Sequence, residues 1–195
     1  MGLAQTCSTP RGYGINSPVQ HVPKFHGAGS RFFLLDNLRS EDYSLSPMAS
    51  GTENDPHNLD RFVEAQATTF DRALTELKRG RKETHWMWFV FPQVAGLGSS
   101  RMAQRYAITS PSEAVAYLEH PLLGARLTEI TNAILQHARK TAHEILDSPD
   151  DQKFQSCMTL FEQAGGGLLF ADALDRFYQG ERDEKTIAIY KLWLG

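Results

Sequence analysis

Three helix starts in the second half of the chain constrain its fold more than any other feature. At Ser110-Pro111-Ser112-Glu113 a capping serine precedes a proline at the first helical position and a glutamate at the third. Thr141 and Glu144 repeat the capping-box spacing. Ser148-Pro149-Asp150-Asp151 again puts proline first, with acids in the first turn where the helix dipole favours them. Amphipathic spacing agrees with these starts. Within 58–80, Leu59, Phe62, Val63, Phe70, Leu74 and Leu77 recur at three- and four-residue steps on one helix face, with Gly80 as C-cap. Leu123, Leu127, Ile130 and Ile134 trace a second face, and Phe154, Cys157, Met158 and Phe161 a third. Leu174, Phe177, Ile187, Tyr190 and Trp193 complete the core candidates. There is no Asn-Gly hairpin signal and no sustained alternation. The expectation is a mainly α fold, a compact single domain of about seven to nine short helices.

His85–Phe91, "HWMWFVF", is the segment hardest to place. Its aromatics and Val90 suit a strand, and its length does too. A lone strand would leave buried backbone groups unpaired, at a cost. Thr84 as a cap and Pro92 as a stop fit a short buried helix, and that is the expectation.

Residues 1–56 read differently from the domain expected over 57–195. They are broken by Gly, Pro and Ser, show no period, and predict a disordered extension. Only the apolar run 31–35 is suited to docking. Met1-Gly2 with Thr6, and Cys7 nearby, form a loose myristoylation pattern that is too short to carry weight. No secretory signal follows the start. Met48 is favoured as the true first residue. A chain 41% hydrophobic and 22% charged fits a soluble globular domain. A net charge of −3 leaves no footprint for nucleic acid, so none is expected as a partner. No apolar run approaches the ~20 residues of a membrane span. Cys7 and Cys157 form neither a metal spacing nor a disulfide framework, which points to a reducing cytoplasm.

Several long and unusual stretches occur together: "DPHNLDRFVEAQ", the run ending Phe91-Pro92-Gln93, Gly96-Leu97-Gly98-Ser99-Ser100, "SPSEAVAYLEHPLLGARL", and Met158-Thr159-Leu160-Phe161. In these the chain resembles a family of small, mostly bacterial proteins, domain of unknown function 1810. The resemblance covers essentially everything after Pro56. It implies a compact helical domain and no particular reaction. Gly165, Gly166 and Gly167 depart from the ordinary helix connection expected there, which weighs against firm docking of the last two helices.

His85 is the candidate catalytic residue, as a general acid or base. Trp86 and Trp88 are candidates for stacking on a flat ligand, but they share a face only in a strand; on a helix one of them is core. Gly96, Gly98, Ser99 and Ser100 resemble a glycine turn where backbone and hydroxyls approach an anion, with Arg101 adding charge. Neither nucleotide fingerprint is matched, so no cofactor is expected. Lys153, Ser156 and Thr159 step along one side of a helix, and Gln93 is placed to donate and accept at a pocket rim. No zinc spacing or serine-hydrolase elbow is present. The sequence therefore predicts a pocket between segment 85–100 and helix 150–161. It would bind a small anionic ligand of nucleotide or ADP-ribose type, with hydrolysis or group transfer through His85 if the chain is an enzyme. The alternative is a non-catalytic protein-interaction module whose aromatic run is all core.

Overall fold

The computed structural model describes residues 55–195. Cys7, the myristoylation pattern, the apolar run 31–35 and Met48 lie outside the described residues. Ten helices follow in order: α1 Asp60–Ala67, α2 Phe70–Lys78, α3 Met87–Val90, α4 Arg101–Arg105, α5 Pro111–Glu119, α6 Leu123–Leu135, α7 Ala142–Leu146, α8 Asp150–Gln163, α9 Leu168–Tyr178 and α10 Glu184–Leu194. Among the described residues β pairing is confined to an isolated parallel bridge, Val94 with Ile108. The helix expected over 58–80 is two helices, broken at Thr68 and Thr69. Adjacent β-branched residues are poor helix formers, so the chain turns there.

Two of the three start signals act as expected. Ser110 Oγ accepts from Glu113 N at 3.1 Å with Pro111 in the first turn. Thr141 and Glu144 exchange both bonds of a capping box. At the third, Asp150 and Asp151 do fall in the first turn of α8, but Pro149 is the cap residue and not the first helical one, no side chain caps, and the Asp150 carboxylate is bound by Lys82 and Lys153. Thr84 does not cap α3 either, because its hydroxyl donates to Glu76. Gly80, at φ +74, ends α2 with bonds from its own N–H to Leu77 O and from Arg81 N to Glu76 O.

Helix α8 is the axis of the core, lying against α5, α7, α9 and α10. Phe154, Cys157, Met158, Leu160 and Phe161 are all fully buried. Phe154 meets Phe91 edge-on at 5.0 Å between ring centroids, and Phe161 lies 5.2 Å from Tyr117 and 5.8 Å from Phe170. Burial pushes the Cys157 thiol well above its ordinary value, so it is an inert core group. Ser156 and Thr159, expected along a polar stripe, are buried as well; their hydroxyls donate back to Gln152 O and Gln155 O. The glycine run does not prevent α9 from docking on α8. Gly165 N and Gly166 N bond to Glu162 O and Phe161 O and close α8, and α9 folds back to bury Phe170, Ala173 and Leu174.

Candidate functional site

Glu76, on α2, organises the segment that carries the tryptophans. Its carboxylate accepts from Glu83 N at 2.9 Å, Thr84 N at 3.1 Å, Thr84 Oγ1 at 2.6 Å and Trp86 Nε1 at 2.8 Å. Burial alone would push its carboxyl up; the hydrogen bonds from Thr84, Glu83 and Trp86 outweigh this and hold it at about 2. Trp86 is thereby committed to the core, with its N–H used and its ring fully buried. Helix α3 then turns Trp88 to another side, where it is half-buried.

Trp88 lines a cleft of about 450 Å³. One wall continues through Gln93, Leu97 and Gly98 to Ser99 and Ser100. The opposite wall is the start of α8, with Pro149, Gln152, Lys153 and Ser156, and Asp183 and Lys185 come from the start of α10. The Lys153 ammonium sits 5.1 Å from the Trp88 ring centroid and 2.7 Å from Asp150 Oδ1. The other oxygen of Asp150 is 2.6 Å from Lys82 Nζ, and Lys82 lies 5.2 Å from the centre of Trp86. One carboxylate is thus shared by two ammonium groups, each against an indole face. Burial raises the Asp150 carboxyl, but its bonds to Lys153 and Lys82 prevail and lower it, so it stays ionised. The cluster keeps one positive charge in excess. Ser100 Oγ accepts from Ala103 N at 3.1 Å, which leaves its O–H able to donate.

The structure brings together seven of the residues singled out from sequence: Trp88, Gln93, Gly98, Ser99, Ser100, Lys153 and Ser156. It does not bring in the rest. His85 is exposed and outside the cleft lining, Trp86 is core, and Gly96 and Arg101 are exposed beyond it. Thr159 is buried behind the wall, where its hydroxyl accepts from Asp183 N at 3.0 Å. Sequence reasoning missed Lys82, Asp183 and Lys185. Asp183 carried a local signal, a capping aspartate three residues before Thr186, but nothing local placed it beside α8.

The described residues thus define an all-α domain with a polar and aromatic cleft beside its central helix. The chain belongs to the family described as Protein of unknown function (DUF1810), whose model matches residues 56–190. It is similar to the crystal structure of the conserved hypothetical protein Rv1873 from Mycobacterium tuberculosis. The two are 48% identical, with a TM-score of 0.69, over 70% of this chain and 99% of that one. Among curated proteins none matches this chain. No helix among the described residues is long and apolar enough to cross a membrane.

Proposed function

We propose that the chain binds a small anionic ligand with a flat group, of nucleotide type, in the cleft between Trp88 and α8. The observation that carries this is Lys153, part of a cluster with surplus positive charge, held against a half-buried indole in a concave site with serine hydroxyls. Apolar walls with a few convergent polar groups are the usual make-up of a small-molecule site. ADP-ribose derivatives belong to the same ligand class. A hydrolase or group transferase worked by His85 draws no support from that residue's position outside the cleft. Cytoplasmic residence remains part of the proposal, favoured by the free, buried Cys157 thiol.

A thermal-shift series of the full chain with nucleotides and simple anions tests the reading. A ligand at about 100 times its Kd adds ~2.7 kcal/mol, and each kcal/mol raises the midpoint by roughly 2–4 °C in a chain of this size. The shift is expected in the wild type and lost in Lys153→Met. A flat response to the whole series overturns it. The second reading, an interaction module, is favoured by Leu168. This side chain is 80% exposed beside an apolar groove between α5, α6 and the turn after α8. That reading gains if the series is flat.

A further inference from the structure

We infer that the ligand of this cleft carries sugar hydroxyls as well as a phosphate: a phosphorylated sugar, free or within a ribonucleotide. The inference rests on the proposed anion site and deepens it. Its basis is the mixture of charges in the lining. Lys153 and Lys185 are matched against Asp183, with Asp150 held directly on Lys153. A bare anion answers the surplus positive charge but offers nothing to the Asp183 carboxylate. A ligand that presents an anion to the lysines and neutral donors to the carboxylate fits every group.

Asp183 is the residue that calls for the donor. Its Oδ2 caps α10, accepting from Thr186 N at 2.8 Å and Thr186 Oγ1 at 2.6 Å. Its backbone N–H donates to Thr159, so the residue is fixed from two sides. Its Oδ1 accepts no hydrogen bond among the described residues, and an ionised carboxylate can only accept. A phosphate dianion has no proton to offer. A ligand ammonium could donate but would meet Lys153 and Lys185 in the same cleft. A hydroxyl donates without bringing charge, and a carboxylate receiving ribose hydroxyls is a recurrent solution in nucleotide sites. Gln93, able to donate and accept, adds a group for a further ring or base edge.

The test is isothermal titration of the full chain with four compounds: inorganic phosphate, ribose 5-phosphate, AMP and 2′,3′-dideoxy-AMP. Ribose-bearing phosphates are expected to bind at least about tenfold more tightly than the dideoxy compound, since a site built to bond a hydroxyl rejects the analogue without it. Asp183→Asn removes the free acceptor yet keeps the cap, because Asn caps as well as Asp. It should leave the unliganded melting temperature in place and erase most of that preference, while Lys153→Gln weakens every compound. Equal binding of AMP and ribose 5-phosphate assigns a free sugar phosphate; AMP far ahead assigns a nucleotide. If the dideoxy compound and inorganic phosphate bind as tightly as AMP, or if D183N keeps the preference, the hydroxyl inference falls and the anion site stands. If none of the four binds, both fall.

Discussion

Glu76 is a carboxylate only 3% exposed, with Arg72 Nε 3.3 Å away and hydrogen bonds from residues 83, 84 and 86 converging on it. Its ordinary value of 4.5 falls to about 2 in the folded chain, so the unfolded chain binds its proton more readily. The resulting stabilisation, about 3 kcal/mol, is fully present above pH 4.5 and is lost as pH falls from there towards 2. Glu76→Gln places an amide NH₂ among groups that all donate, at a cost of about 2–3 kcal/mol at pH 7. Urea unfolding at a series of pH values checks this: the gap between wild type and variant should narrow steadily below pH 4.5. A gap that stays constant down to about pH 3 would show that Glu76 is not the group being protonated. The same residue explains why Trp86 could not be assigned from sequence. Nothing in "HWMW" says which indole has its N–H claimed by a carboxylate ten residues earlier.

At the scale of elements, the turn between α8 and α9 makes two glycines separable by experiment. Gly165 has φ +87, and a Cβ added there would meet no atom within 4 Å, so Gly165→Ala costs only backbone conformation, about 1 kcal/mol. A Cβ on Gly166 would stand 2.2 Å from the Phe170 ring and 2.8 Å from Phe161 O, so Gly166→Ala forces the packed α8–α9 contact apart. Overpacking of that kind costs about 1–3 kcal/mol, and chemical denaturation should rank G166A below G165A. Equal losses would place the strain in the turn and not in the packing. This turn also shows what a sequence discloses. The caps at Ser110 and Thr141 were legible because donor and acceptor lie three residues apart, and the helical faces because burial follows the 3.6 period. The third start was legible in its acids, Asp150 and Asp151, but not in its proline, which falls at the cap position, nor in the bond of Asp150 to Lys82 across the fold. Of the cleft, Trp88, Ser99 and Lys153 could be named as polar or aromatic groups inside unusual motifs. Asp183 and Lys185 could not, since only the packing of α10 beside α8 brings them into the lining, and Lys82 reaches the cluster only through Asp150, far from it in sequence.

Across the whole domain, one arginine connects the first helix to the loop that forms a wall of the cleft. Arg61 donates to His57 O and Asn58 O at 2.7 Å, to Ala107 O at 3.0 Å, to Arg105 O at 3.1 Å and to the Glu113 carboxylate, with its guanidinium 4.2 Å over Phe62. It therefore fixes the backbone at 105–107. Ile108 N donates to Gln93 O at 2.9 Å and Ala95 N to Ile108 O at 2.8 Å, which ties the cleft loop to that same stretch. Arg61 itself is not in the cleft lining. Arg61→Met leaves Glu113 buried without its ion partner, although Thr109 still donates to it, and should cost about 3–5 kcal/mol. Arg61→Lys keeps the charge but not the planar fork that reaches four separate carbonyl groups, so it should fall between wild type and R61M. If the bonds through Ile108 carry this order to Gln93, both variants should also bind the cleft's ligand more weakly, in the same rank, at temperatures well below their melting points. Titration of the folded variants with AMP separates the two effects. Lower stability with unchanged affinity would mean that the loop holds its shape without Arg61 and that the cleft depends on α8 alone. Loss of both would show that a contact made by the first helix shapes a site that it never touches.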